Sequence, residues 1–444
     1  AQAFSRPSAH PLRGASRPNR KSLGQQSPPP AMFDFDSLEG AAPVSRQGAG
    51  AKGAAVKSIE RVWAVSDVHT DAKDNLEFIQ RMDSQAYAKD ALIVAGDISD
   101  DLGVVRRTLR SLRSKFARVF FVPGNHDLWV TRQQSNDGCA DSMQKLAALE
   151  KICAEEGVDT RPRRLPAASG SGAADLWILP VISWHTPSFD DEPDIDTRWS
   201  GIPAADSLCS DYRLCKWPAP LDQHTDSVAA HFDKMNDEWI QDLGESDYSR
   251  LSSMMSGCRE PGDVVITFSH FLPRIELLPE KRYLYFPILA KFVGSPPLGR
   301  RIERLGPDVH VFGHTHFGWD QELDGVRYLS PPVGMPRERD KRVSTISTGD
   351  FLQATEHENM PVRPVLIWDA ASGFAERYDA GWSGFYRKYE REPEEVTVLP
   401  DYVASMYQWD EEQNGPKSKV VGWQGKVPAW KFGPAWSQGR KRHY

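Results

Sequence analysis

Seven side chains able to hold a metal ion sit just past short apolar runs of this sequence. Asp67 and His69 follow RVWAVS at 61–66, and Asp97 follows ALIVA at 91–95. Asn125 follows RVFFV at 118–122, His270 follows VVITFS at 264–269, and His314 and His316 follow VHVF at 309–312. Two aspartates, one asparagine and four histidines make an oxygen and nitrogen donor set with no sulfur. Such a set suits Zn, Fe or Mn better than Ca or Mg. Seven donors exceed one tetrahedral site and fit two divalent or trivalent metal ions sharing a carboxylate. A pair of that kind clamps a phosphoryl group and generates hydroxide near neutral pH. Taken singly, each piece is ordinary: Gly-Asp is often a turn, and a lone histidine such as His270 is usually a satisfied core residue. The ordered set carries the reading.

The elements that must position these groups are legible as well. The five runs above, together with LWILPVISW at 176–184, are β-branched and aromatic and read as buried strands. Val105, Leu109, Leu112 and Phe116 follow helical spacing, as do Val228, Phe232, Met235 and Trp239. Asp324-Gly325 between 321–323 and 326–329 is a type I′ hairpin signal. Alternating strands and helices predict an α/β layered fold. Polar groups at the ends of parallel strands converge in one crevice.

Composition sets the bounds. A formal net charge of -7 favours neither nucleic acid as a stable partner nor an anionic membrane surface, and no apolar run is long enough to span a bilayer. The five cysteines contain no C-x-x-C pair and read as reduced thiols. Residues 1–57 have no acidic residue before Asp34 but carry Arg6, Arg13, Arg17, Arg20 and Lys21. That is the composition of a transit segment to a plastid or other organelle, or of a disordered tail on a cytoplasmic protein. Residues 58–390 read as the globular domain, with 186–226 a long Pro-, Asp- and Ser-rich insertion. Residues 391–444 form an irregular tail with Trp409, Trp423, Trp430 and Trp436, which must pack on the domain or on a protein partner.

The blocks Asp67-Val68-His69, Gly96-Asp97-Ile98-Ser99-Asp100, Gly124-Asn125-His126-Asp127, His270 and Gly313-His314-Thr315-His316 stand in the order of a family signature. The sequence resembles the calcineurin-like metallophosphoesterases over about residues 60–340. The resemblance implies a four-layer α/β/β/α sandwich with metals at the sheet edge and a phosphoester substrate. It implies that Asp67, His69 and His316 hold one metal, and that Asn125, His270 and His314 hold the other. Asp97 would bridge them with a solvent hydroxide. His126 would be the proton donor to the leaving group, Asp127 would orient His126, and Asp100 would support a ligand. Asp101-Leu102 stands where the protein phosphatases carry Arg-Gly, and Asp100 stands where purple acid phosphatases carry a tyrosine ligand. The segments 269–274, 313–317 and 336–338 look like a group from plants, algae and bacteria to which no substrate is assigned. The alternative to a hydrolase is a scaffold that keeps the fold for protein binding, but such relatives lose ligands or the proton donor, and here all are intact.

Weaker signals admit two readings each. Arg274, Arg337 and Arg339 either grip a phosphate or make surface ion pairs. His185 either lines the pocket or caps its strand. Arg106, Arg107, Arg110 and Arg113 form either an anion patch or, more ordinarily, the solvated face of a helix.

Overall fold

A computed structural model of the chain describes residues 58–131, 138–166, 175–336, 364–377 and 380–409. The transit-like segment, Arg337, Arg339, Trp423, Trp430 and Trp436 lie outside the described residues.

Three parallel strands, β1 (Arg61–Ser66), β2 (Ala91–Ala95) and β3 (Arg118–Val122), lie side by side. Each is buried on both faces, which is why each reads as a continuous apolar run rather than an alternating one. The second sheet is built from β4 (Arg163–Leu165), β5 (Leu176–Pro180), β7 (Val264–Phe268), β8 (Val309–Val311), β9 (Trp319–Leu323) and β10 (Val326–Ser330), in the order β4-β5-β7-β8-β10-β9. Its centre, from β5 to β10, is parallel. β9 and β10 are joined by Asp324 and Gly325, both at positive φ, as a type I′ turn requires.

Side chains alternate along each strand, so the two sheets share an inner layer. Val62, Ala64, Ile93, Phe120 and Val122 from the first sheet meet Ile178, Ile266, Phe268, Val311 and Leu329 from the second. The other faces carry the helices. Val65, Leu92 and Val94 cluster with residues of α1 (Lys73–Arg81), α2 (Leu102–Arg113) and α3 (Ser142–Glu156). Leu179 borders a small cavity with Ile240 of α4 (Ser227–Gln241), Leu251 of α5 (Glu245–Met255) and Leu305 of α6 (Pro296–Leu305). The architecture is therefore the expected α/β arrangement of two sheets flanked by helices. Local signals start the helices: the Asp101 carboxylate accepts from Val104 N, and that of Asp141 accepts from Gln144 N, at 2.8 Å each.

Two details differ from the sequence reading. The strand expected over 176–184 stops at Pro180, because beyond it the main chain of Ile182 bonds to the side chain of Asn236 instead of a neighbouring strand. Strands β4 and β11 (Val365–Asp369), like three two-residue strands, fall outside the expected runs. β11 pairs antiparallel with β1 and in turn carries β12 (Gly373–Phe374). The insertion 186–226 and residues 396–409 pack together. β6 (Trp199–Ser200) pairs with β13 (Gln408–Trp409), and Ile195 and Trp199 bury against Leu399, Val403 and Tyr407. Among the described residues no helix is long and apolar enough to cross a membrane.

Phe120 is fully buried between the sheets. Phe120→Ala is expected to cost about 3–5 kcal/mol of stability. Urea denaturation should show a lower midpoint with an unchanged slope.

Candidate metal centre

The parallel strands β1, β2, β3, β7 and β8 all deliver their C-terminal ends to one edge. There the chain must turn at once to bring side chains inward. Asp67, His69, Asp97, His314 and His316 adopt φ between 40° and 73°, and Asp324 in its hairpin is the sixth non-glycine at positive φ among the described residues. Left-handed backbone costs about 1–3 kcal/mol per residue and persists only where the surroundings enforce it. Two glycines make the crowding tolerable. Gly96 has φ +81°, and a methyl there would sit 2.4 Å from His270 Nδ1. A methyl on Gly124 would lie 2.2 Å from Asp97 Oδ1.

All seven expected ligands come together, in two nests. In the first, His69 Nε2 and His316 Nε2 are 3.1 Å apart, and His316 Nε2 is 3.5 Å from Asp67 Oδ1. One ligand atom from each of Asp67, His69, Asp97 and His316 lies within 4.8 Å of the others. In the second, Asn125 Oδ1 lies 3.1 Å from His270 Nε2 and 3.0 Å from His314 Nδ1, and those two nitrogens are 3.3 Å apart. Asp97 stands between, with Oδ2 3.8 Å from His69 Nε2 and Oδ1 3.5 Å from His270 Nε2.

The second nest tests whether these donors suit a metal. His270 Nδ1 faces the carbonyl of Ala95 at 3.0 Å, and His314 Nε2 faces that of Phe292 at 2.9 Å. A carbonyl only accepts, so those nitrogens carry the protons. Burial lowers the pKa of both rings and keeps them neutral. Their other nitrogens therefore present bare lone pairs to Asn125 Oδ1, a third acceptor. Three acceptors within 3.3 Å with no proton among them fit a shared cation. Asp97 carries the same message. Burial, then the charges of Asp127 and Asp67, push its carboxyl well above the usual range, which is unfavourable for a carboxylate without a neighbouring positive charge.

His126 keeps partial exposure at the rim, 4.0 Å from Asp97 Oδ2 through Nε2. Its expected support is corrected. Asp127 does not hold the ring. Its oxygens accept the main-chain N–H groups of Asp97, Ile98, Ser99 and Gly124 at 2.8–3.0 Å, so Asp127 ties the second and third strand-end turns together. Against those bonds burial still raises its pKa to about 6. The His126 ring instead packs on Trp129, with centroids 3.6 Å apart and 30° between the planes. Asp100 touches its surroundings through its carbonyl, which accepts from buried Lys145 Nζ.

The weaker signals resolve. His185 is fully buried beneath the rim, with Nε2 3.2 Å from Asp211 Oδ2. Arg274 pairs with Glu276 and Asp324. Arg106 and Arg110 pair with Glu156 of α3. Sequence reasoning missed Asp211, Trp129 and Lys145. Asp211 accepts from Asn125 Nδ2 at 2.8 Å and from Trp129 Nε1 at 2.6 Å through Oδ1. Cys209 Sγ donates to Oδ2 at 3.4 Å. His185, Cys209 and Asp211 are close enough to form a metal-sized cluster of their own, but each Asp211 oxygen already accepts two donors. Burial would raise the Asp211 pKa; the hydrogen bonds from His185 and Asn125 oppose it, and the carboxyl is held below the ordinary range.

A two-sheet α/β sandwich with these donors at its parallel strand ends is the frame of a metal-dependent hydrolase. The chain belongs to the calcineurin-like phosphoesterase family, whose profile matches residues 60–318. It is similar to the [acyl-carrier-protein] phosphodiesterase PptH of Mycobacterium tuberculosis, at 26 % identity over 290 residues, 63 % of this chain and 80 % of that protein. The crystal structure of phosphopantetheinyl hydrolase PptH from Mycobacterium tuberculosis aligns with 23 % identity and a TM-score of 0.49, covering 65 % of this chain and 94 % of that one. TT1561 of Thermus thermophilus aligns with 13 % identity and a TM-score of 0.32, over 62 % and 90 % of the two chains.

Gly124→Ala is expected to displace Asp97 or the 124–127 turn while leaving the sheets in place. Metal content after gel filtration should fall, with far-ultraviolet circular dichroism unchanged.

Proposed function

We propose that this chain hydrolyses phosphodiesters with two transition-metal ions, and that its substrate is the phosphodiester joining the prosthetic arm to an acyl-carrier protein. The observation that supports the two-metal half is Asp97, whose oxygens face separate nests of donors. Asp67, His69 and His316 belong to one ion and Asn125, His270 and His314 to the other. The oxygen and nitrogen donors suit Mn, Fe or Zn. Bound there, the ions supply a nucleophile from water near neutral pH and Lewis-acid stabilisation of the phosphoryl oxygens. The substrate half rests on the similarity to the Mycobacterium tuberculosis acyl-carrier-protein phosphodiesterase.

The protein's own groups then have defined tasks. Asp97 spans both nests, so its substitution should disturb both. Asp127 fixes the two turns from which Asp97 and Asn125 project. His126, on the open rim, gives a proton to the departing oxygen. Burial lowers its pKa to about 3, so the ring is neutral before substrate arrives. The negative charge of a phosphodiester beside it favours the protonated form the transfer needs. An alkoxide leaving group departs poorly without that proton.

Two measurements follow. Mn-loaded protein should contain two metal ions per chain and release the arm from a holo-acyl-carrier protein, read by intact-protein mass spectrometry. Hydrolysis of nitrophenyl esters with the carrier left untouched would refute the substrate but not the chemistry. His126→Asn should keep both metals and lose about 10²- to 10⁴-fold in rate on the carrier, and clearly less on nitrophenyl esters, whose leaving group barely needs a proton. Equal losses on both would make His126 a charge-stabilising group instead.

A further inference from the structure

An asparagine amide is nearly symmetric in shape, so what surrounds it decides which end faces a metal. Around Asn125 the local chemistry opposes the useful orientation. His270 Nε2 and His314 Nδ1 both present lone pairs to it, and an inward NH₂ group would make two hydrogen bonds with them. Yet it is Oδ1 that points inward. The opposing contact is Asn125 Nδ2 to Asp211 Oδ1 at 2.8 Å, a bond to a buried carboxylate and therefore stronger than a neutral one. The same Asp211 oxygen accepts from Trp129 Nε1 at 2.6 Å, and Trp129 packs against the His126 ring. His185 and Cys209 hold the other oxygen. Asp211 opens a short helix, Asp211–Leu214, inside the 186–226 insertion and far in sequence from the strand ends that carry the seven donors.

We propose that Asp211 is a positioning residue that holds the Asn125 amide with its oxygen toward the second metal position and, through Trp129, sets the plane of the His126 ring. The inference rests on the two-metal reading. Without Asp211 the amide turns over, its NH₂ group bonds to the two imidazoles, and that metal position closes.

The test is titration of the metal-free full chain with Mn²⁺, followed by calorimetry and by metal counting after gel filtration. Wild type should take up two equivalents. Asp211→Ala should keep one and bind the other about 10–100-fold more weakly, as when a partner of a metal ligand is lost. Asp211→Asn should rescue, because its amide oxygen can still accept from Asn125 and Trp129. A second pair keeps volume and polarity should the alanine variant fail to fold. Asn125→Asp sets carboxylate against carboxylate and should weaken the same equivalent, whereas Asn125→Asp combined with Asp211→Asn should restore it. Wild-type affinities in Asp211→Ala would overturn the proposal. So would an Asp211→Asn defect as large as that of the alanine variant, or a double variant no better than Asn125→Asp. Three equivalents in the wild type would make Asp211 a ligand of its own site and also overturn it. One equivalent or none would remove the two-metal reading itself, and this inference with it.

Discussion

Asn125 Oδ1, His270 Nε2 and His314 Nδ1 meet with no proton among them, and the buried carboxylates Asp67 and Asp97 stand alongside. Groups of this kind repel one another in a dry interior, where Coulomb terms are large. They stay together because the two sheets, packed through Ile93, Phe120, Ile266 and Val311, end their parallel strands along a common edge. The left-handed turns at five of the seven candidate donors extend the same constraint to the backbone. Strand packing supplies the rigidity, and the site spends part of it on conformations that an isolated peptide would leave.

The legible part of this fold and site was the part encoded locally. Each first-sheet strand of the parallel set is an apolar run flanked on its C-terminal side by donors, so periodicity and residue type together mark both the strand and the place of its candidate donor. The hairpin at Asp324-Gly325 is local in the same sense. β11 was not anticipated because its run, 365–369, is far from β1 in sequence, and only tertiary pairing shows what it completes. The role expected for Asp127 was wrong for a related reason. Adjacency to His126 suggested a side-chain partner, but the 3₁₀ turn at His126–Leu128 directs the carboxylate into a nest of main-chain amides. Asp211 had no local mark. It lies in a stretch rich in aspartate, and nothing short of its four bonds separates it from its neighbours.

The insertion therefore reaches the candidate site as well as the surface. Its Asp211 reaches Asn125, while its Trp199 donates to the Thr397 carbonyl at 2.9 Å and its Ile195 buries against residues after 391. A buried lysine completes the link on the other side: Lys145 of α3 donates to the carbonyls of Asp100 and Trp129, joining the loop before α2 to the turn that carries His126. Burial lowers its pKa, so these carbonyl bonds are what the ammonium receives in exchange for lost hydration.

The antiparallel pairing of β11 on β1 also bears on where the functional unit can be cut. The family profile ends at residue 318, yet β9, β10 and β11 all lie beyond it. A fragment stopping there would strip β1 and β8 of their outer neighbours and leave two rows of main-chain donors and acceptors bare on buried, mostly apolar strands. Open strand borders of that composition recruit other chains. β10 and β11 thus cover two strand borders that would otherwise be open to self-assembly, although none of the proposed ligands lies in them.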